Sequence, residues 1–80
     1  MRIGTYAEQV GAQLRDRRKL LRLNQTEVAD LAGTTQRSVS QVETGKASAL
    51  ELYGAVADVL GLRLVALPHD QVDEQTGDAS

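Results

Sequence analysis

The sequence lacks several residue types that small proteins use for stability. It has no cysteine, no tryptophan and no phenylalanine among its 80 residues, and it has a single proline. The absence of cysteine excludes disulfides and thiolate metal sites. The core must therefore be built from leucine, valine and alanine, with Tyr6 and Tyr53 as the only aromatic side chains. Because so short a chain buries a modest core, self-association would help to stabilise it.

Long hydrophobic runs are also absent. No apolar stretch approaches the length of a membrane-spanning helix or a signal peptide, so we expect a soluble, cytoplasmic protein without membrane contact. The sequence shows no phosphate-binding loop, no cluster of metal ligands and no nucleophile with a plausible base. We therefore expect no enzymatic activity, no cofactor and no metal. His69, the only histidine, is expected to be an ordinary solvated side chain.

The net charge of −2 conceals an uneven distribution. Residues 1–67 hold nine Lys and Arg against seven Asp and Glu, a charge of +2, whereas residues 68–80 hold four acidic residues and no Lys or Arg. Five basic residues lie between 15 and 22. They form either a solvated face only, or a set in which Arg18 is structural and some of the others add diffuse attraction to a phosphate backbone. Residues 68–80 are expected to be an acidic disordered tail, because they cannot bury enough apolar surface to fold.

Two short helices joined by a tight turn are predicted in the middle of the chain. Asn24 and Glu27 have the spacing of a capping box, which places the start of a helix at Gln25. Gly33 follows the last apolar residue of this segment and can adopt the left-handed conformation that ends a helix. The helix is thus about eight residues long. Its predicted buried stripe consists of Val28, Leu31 and Ala32.

The helix that follows has an unusually thin apolar face. Thr35 is its candidate N-cap, and Val39 and Val42 are its only large apolar residues. The rest of its surface is polar and consists of Gln36, Arg37, Ser38, Ser40, Gln41 and Thr44. A helix that is held to its neighbour by a short turn and presents so polar a surface can enter the major groove of DNA.

The side chains on this helix suit the edges of bases. Gln36 or Gln41 could form a bidentate pair with adenine, and Arg37 could bind guanine or phosphate. Glutamines on a small helix can also be simply solvated. Their number and spacing favour the binding of duplex DNA.

The segment from Asn24 to Lys46 resembles the helix-turn-helix of the lambdoid phage repressor and Cro family. The similarity is carried by Asn24-Gln25, by Gly33-Thr34-Thr35-Gln36, and by Gln41 through Gly45-Lys46. It implies that Gln36 and Gln41 read bases, and that Arg18 and Glu43 form a partly buried ion pair. Phosphate contacts are implied for Asn24, Gln25 and Lys46. Thr35 would contact the DNA backbone or a thymine methyl. Arg37 and Ser40 stand at positions that vary in the family, so the operator sequence cannot be transferred; with Ser38 they complete the predicted DNA-binding set.

Two further helices are predicted around this pair. The first starts with a capping box between Thr5 and Glu8 and runs to about Leu23. It continues through Val10, Leu14, Arg18 and Leu21. The last starts with a capping pair between Ser48 and Glu51 and ends at Gly61, and Gly54 within it predicts close helix packing. Its apolar stripe consists of Leu52, Val56, Val59 and Leu60, flanked by Tyr53.

In residues 61–67 the hydrophobic pattern changes from a helical period to a period of two. This pattern predicts a short β-strand that ends before Pro68. Leu62, Leu64 and Ala66 fall on one side, and Arg63, Val65 and Leu67 fall on the other. Because no other segment has a strand pattern, we expect it to pair with the same strand of a second copy. Such a homodimer would present two recognition helices to a palindromic operator. A helix in this segment remains the alternative.

The C-terminal segment resembles HipB-type antitoxins, in which a strand that pairs across the dimer follows a repressor-like domain. The similarity lies in Leu60-Gly61-Leu62-Arg63-Leu64 and the following Val65-Ala66-Leu67-Pro68. It implies an autoregulatory antitoxin with a HipA-like kinase toxin as partner, and a tail that contacts the toxin or admits a protease. The alternatives are a free-standing regulator and a protein-interaction adaptor that no longer reads DNA.

The predicted fold is an all-α helix-turn-helix domain of four helices with one short C-terminal β-strand that pairs across a homodimer. The domain covers residues 1–67, with the dimerisation strand at about 61–67, and residues 68–80 form the tail. The predicted function is sequence-specific transcriptional repression.

Overall fold

The computed structural model describes residues 5–65, and these form four helices. They are α1 (Tyr6–Leu20), α2 (Gln25–Ala32), α3 (Gln36–Glu43) and α4 (Leu50–Val59). This confirms the predicted all-α arrangement of four helices, including the length of about eight residues predicted for α2. The tail at 68–80 lies outside the described residues.

Helix α1 begins where the sequence predicts and ends earlier. The side chain of Thr5 accepts from the backbone of Glu8, and the Glu8 side chain accepts from the backbone of Thr5, which completes the capping box. The helix ends at Leu20, so the prediction of an end at about Leu23 is wrong. The cause lies at Arg22, whose φ of 60° places it in the left-handed region and turns the chain towards α2.

The start and end of α2 follow their local signals, but its inner face differs from the prediction. Asn24 caps the helix and Gly33 ends it with a φ of 71°. Leu31 is 67% exposed, so its predicted place in the buried stripe is wrong. The inner face is centred on Val28 and Ala29, and Leu31 lies about a third of a turn away from it.

The start of α4 departs from the sequence pattern. Ala49 occupies the N-cap position and makes no side-chain capping bond, so the predicted capping pair of Ser48 with Glu51 is wrong. Tertiary contacts hold the preceding loop instead, since the Tyr53 hydroxyl donates to the Ala47 carbonyl at 2.8 Å. A Cβ added at Gly54 would meet nothing within 4 Å, so the prediction of close packing there is also wrong.

The core lies where all four helices meet. Its buried residues are Leu14, Val28, Ala29, Val39, Val42, Tyr53, Val56, Ala57 and Leu60. Helix α1 packs tightly against α3 at Gly11, where an added Cβ would clash with the carbonyl oxygen of Val42. A side chain at this position would therefore force the two helices apart, and glycine sets their separation.

The chain leaves α4 along a fixed path. The Arg17 side chain donates from Nε to the Leu60 carbonyl at 3.0 Å, and the Leu62 backbone donates to the Ala57 carbonyl at 2.8 Å. Residues 62–65 are neither helix nor strand in this single chain, so neither the predicted strand nor its helical alternative is seen there. Ala66 and Leu67 lie outside the described residues. The predicted pairing of residues 62–67 across a dimer stays a prediction.

Candidate nucleic-acid interface

Helices α2 and α3 are joined by a turn of three residues, 33–35. After the left-handed Gly33, the Thr34 amide donates back to the Ala29 carbonyl at 2.9 Å. Thr35 then caps α3, because its hydroxyl oxygen accepts from the Ser38 amide at 3.1 Å. The angle between the two helices is thus set by local backbone chemistry at both ends of the turn.

The apolar stripe of α3 is completely buried. Val39 and Val42 have no exposed surface, and they fix one side of the helix against the core. On the other side, Gln36 and Arg37 are exposed, while Ser40 and Gln41 are half-buried. The long polar side chains that the sequence predicts for base contacts therefore lie on a surface that solvent or a ligand can reach.

Gln36 is oriented by a hydrogen bond across the turn. Its side-chain nitrogen donates to the side-chain oxygen of Gln25, the first residue of α2. This bond uses one of the two N–H groups of the Gln36 amide and leaves the other N–H and the oxygen available. A bidentate pair with adenine needs one donor and one acceptor. Gln36 is thus held in place by α2 without losing the groups that base recognition requires.

Gln25 connects this pair to a buried carboxylate. Its side-chain nitrogen donates to Oε1 of Glu43 at 2.9 Å. The same carboxylate binds Arg18 through two bonds, from Nε to Oε2 at 2.6 Å and from Nη2 to Oε1 at 3.1 Å. Arg18 also donates to the Leu23 carbonyl at 2.9 Å. The ion pair implied by the resemblance is therefore present, and it belongs to a network that ends at Gln36.

The network keeps Glu43 ionised. Burial acts to raise the pKa of its carboxyl, but hydrogen bonds from Arg18 and Gln25, together with the charges of Arg18 and Arg15, outweigh burial and hold that pKa below its ordinary value. The hydrogen bond and charge of Glu43 raise the pKa of Arg18, against the opposing effect of desolvation. Glu43 is the only acidic residue of α3, and its charge is neutralised inside the protein. The outer surface of α3 thus carries no carboxylate that would repel phosphate.

The loop after α3 holds an exposed cation. The backbone amides of Lys46 and Ala47 donate to the Gln41 carbonyl at 2.8 and 3.1 Å, so the chain folds back on the end of the helix. Gly45 has a φ of 74°, and a Cβ at this position would lie 2.6 Å from Cα of Glu8. The close contact with the start of α1 fixes the loop, and the exposed Lys46 lies directly beyond the recognition surface.

The family comparison matches residues 14–67, with the description helix-turn-helix. The chain belongs to the helix-turn-helix family. The matched type is that of the lambda repressor and Cro, which are DNA-binding transcription regulators. The segment that carries the resemblance in the sequence lies entirely inside the matched range, and so does the whole of α3.

Solved structures share the domain as part of larger chains. Hydroxypropylphosphonic acid epoxidase from S. wedmorenis matches 71% of this chain with 29% identity and a TM-score of 0.60, and the match covers 31% of that protein. A structure of apo-HppE matches 74% of this chain with 30% identity and a TM-score of 0.63, covering 34% of its own chain. This chain therefore spans about a third of the length of these structures. The similarity concerns the helix-turn-helix portion, and the name of the epoxidase describes that protein.

The other predicted DNA-binding residues of this helix-turn-helix domain lie around the turn. The Asn24 side-chain oxygen caps α2 by accepting from the Glu27 amide at 2.8 Å, and its NH2 group can still donate to a phosphate. The hydroxyls of Thr35 and Ser38 bond to each other at 3.1 Å. No structure with DNA tests these contacts, so the roles assigned to the individual residues stay predictions.

Three supporting residues of the domain were missed by sequence reasoning. Gly11 sets the distance from α1 to α3, the Tyr53 hydroxyl holds the loop after α3, and Arg17 binds the last carbonyl of the C-terminal turn. A glycine inside a predicted helix was the only available signal, and it applied to Gly11 as much as to Gly54. The contact of Arg17 with Leu60 joins residues 43 positions apart, and the contact of Tyr53 with Ala47 spans six positions without following a capping pattern.

The described residues include no group of three His, Cys, Asp or Glu side chains that could hold a metal. No helix within residues 5–65 is long and apolar enough to cross a membrane.

Proposed function

We propose that this helix-turn-helix protein is a sequence-specific transcriptional repressor that binds a palindromic operator as a homodimer and represses its own promoter. One observation carries the proposal. The outer surface of α3 combines amide and guanidinium groups with no free carboxylate, because the only acidic residue of the helix is neutralised by Arg18. A surface of this kind can donate and accept at base edges without repelling phosphate.

Base reading is assigned to Gln36 and Gln41, with Arg37 able to reach guanine or phosphate. The hydrogen bond to Gln25 already restricts the rotamers of Gln36. Gln36 therefore loses less side-chain entropy when it binds a base, which supports its assignment to base reading. Lys46, exposed in the loop after α3, is assigned to a phosphate. Phosphate contacts of this kind position the protein on the duplex, and base contacts provide the discrimination.

The experiment is selection of duplex DNA from a randomised pool by the full-length chain, followed by sequencing. We expect an inverted repeat whose half-sites lie about one helical turn, or about 34 Å, apart. Recovery of a single half-site would contradict the dimeric mode of binding. Recovery of no preferred sequence, with weak and strongly salt-dependent affinity, would instead support the protein-interaction adaptor.

The antitoxin role is the finer part of the proposal. It is supported by the sequence after α4, where the period-two segment 62–67 resembles the C-terminal strand of HipB-type antitoxins. The test is coexpression with a HipA-like kinase encoded beside this chain. Relief of toxicity together with a stable complex is expected for an antitoxin. Repression of the promoter with no such kinase gene nearby would identify a free-standing regulator.

A further inference from the structure

An apolar groove lies on the side of the domain formed by α1, α4 and the end of the described chain. Its volume is about 230 Å³. The residues that line it are Tyr6, Ala7, Val10, Leu50, Tyr53, Leu64 and Val65. We call this surface the α1–α4 groove. Three of these side chains are strongly exposed: Tyr6 at 71%, Leu50 at 73% and Val65 at 57%. Large apolar side chains that cluster in this way on a small domain mark a contact surface.

The segment that borders the α1–α4 groove makes few backbone hydrogen bonds within residues 5–65. It is anchored at its start by the bonds from Arg17 to the Leu60 carbonyl and from the Leu62 amide to the Ala57 carbonyl. Beyond Leu62, the backbone of residues 63–65 makes no hydrogen bond with any described residue. These residues are neither helix nor strand, so their backbone is available for pairing with another strand.

We propose that the α1–α4 groove is the surface on which a second copy of this chain docks, so that the dimer contact includes the first turns of α1 and α4 as well as residues 62–65. The inference extends the homodimer of the proposed function and rests on it. A second copy can cover the groove and pair with the free backbone in one contact.

The charge of the surface favours a second copy over a different partner. None of the seven residues that line the α1–α4 groove is charged. In a two-fold contact each patch meets its own copy, so a patch of a single charge would repel itself, whereas these seven side chains meet no such repulsion. A neighbouring hollow adds polar side chains, namely Gln9, Gln13 and Arg63. An apolar centre with a polar rim is the usual composition of a protein interface.

The position of Tyr53 connects this surface to the recognition helix. Its ring lines the α1–α4 groove, and its hydroxyl holds the Ala47 carbonyl in the loop that carries Lys46. The surface proposed for the second copy and the surface proposed for DNA thus share one buried side chain, which is 5% exposed. A dimer formed here would hold its two recognition helices at a defined spacing, as an operator with fixed half-site separation requires.

The test measures the mass of the full-length chain by light scattering during gel filtration, at concentrations from micromolar to submillimolar. The variants are Leu50→Glu and Tyr6→Glu, each at the first position of its helix, where an acidic residue favours helix formation. The matched control is Leu31→Glu, because Leu31 is similarly exposed at 67% but does not line the α1–α4 groove. Circular dichroism verifies that each variant keeps its helices.

We expect the wild type and Leu31→Glu to be dimers, and each groove variant to weaken dimerisation about 100-fold or more, because a carboxylate would be buried without a partner. A dimer that persists in both groove variants would overturn the inference and leave the dimeric repressor standing. Groove variants that lose stability without a change of mass would also overturn it, and would assign the groove to residues 66–67 of the same chain. Dissociation of the control as well would show that the effect is not specific to the groove. A wild type that is monomeric throughout would overturn the proposed dimer together with this inference.

Discussion

Arg18 and Glu43 join the first helix to the end of the recognition helix through two hydrogen bonds, of 2.6 and 3.1 Å. The side chains are only 11% and 3% exposed, so the pair is largely withdrawn from water. Gln25 binds the same carboxylate and in turn accepts from Gln36. The ion pair therefore stabilises the fold and also holds the residue that we assign to base reading.

Removal of Arg18 is expected to be strongly destabilising. Arg18→Ala leaves Glu43 buried without its cation, and we expect a loss of about 3 kcal/mol in the free energy of unfolding. The matched control is Lys19→Ala, an exposed cation on the same helix, for which a change within about 0.5 kcal/mol is expected. Urea denaturation of both variants measures the difference. Equal losses in the two variants would show that the ion pair contributes nothing beyond an ordinary surface charge.

Stability is expected to fall at acidic pH through Glu43. Its pKa in the folded protein lies below its unfolded value of about 4.3, so its stabilising contribution is fully present above that value and is lost as the pH falls through the folded pKa. Denaturation between about pH 7 and about pH 3 should show the gap between wild type and Glu43→Gln shrinking below about pH 4. A gap that is constant across this range would mean that the Glu43 carboxylate has no such role.

Substitution by alanine is expected to have opposite effects on stability at two glycines inside helices. Gly11→Ala places a Cβ against backbone oxygens of α3 that cannot move cheaply, and we expect a loss of about 3 kcal/mol. Gly54→Ala places a Cβ in open space inside α4, and we expect a gain of about 1 kcal/mol from helix propensity. Thermal denaturation of the two variants measures both effects. A stabilising Gly11→Ala would contradict the close approach of α1 to α3.

Local signals in the sequence accounted for the helix starts that carry their own caps. The boxes at Thr5 and Asn24 and the cap at Thr35 all depend on residues within three positions, so sequence alone located them. Ser48 had an equally good pattern and failed, because the loop before α4 is held by Tyr53 and needs no side-chain cap. The hydrogen bond from Tyr53 to Ala47 thus takes the place of a side-chain cap at the start of α4.

In the candidate site, too, the features that depend on local sequence could be predicted, and those that depend on tertiary packing could not. The polar surface of α3 could be predicted because the buried pair Val39 and Val42 fixes its orientation. The bond from Gln36 to Gln25 and the close approach at Gly11 could not, because both depend on how the helices pack in three dimensions. The exposure of Leu31 escaped prediction for a related reason, since an eight-residue helix is too short to define its inner face by periodicity alone.

The hydroxyl of Tyr53 is expected to matter for DNA affinity as well as for stability. Tyr53→Phe removes the bond to the Ala47 carbonyl, at a cost of about 1 kcal/mol in unfolding free energy. Because that bond fixes the loop carrying Lys46, affinity should fall by a similar factor for all duplexes. The control is Tyr6→Phe, whose ring is 71% exposed and whose change should leave stability and DNA affinity unaltered. Equal DNA affinity in Tyr53→Phe and wild type would show that the loop carrying Lys46 is not part of the DNA-binding surface.

The central claim is that amide side chains of α3 read bases, and fluorescence anisotropy with two duplexes tests it most directly. One duplex is the sequence selected by the wild type, and the other is a scrambled version of the same composition. Gln36→Ala and Gln41→Ala should each reduce the preference for the selected duplex by about 1 to 3 kcal/mol, whereas Lys46→Ala should weaken both duplexes equally and lower the salt dependence. If both glutamine variants keep the full preference of the wild type, α3 is not the helix that reads the sequence.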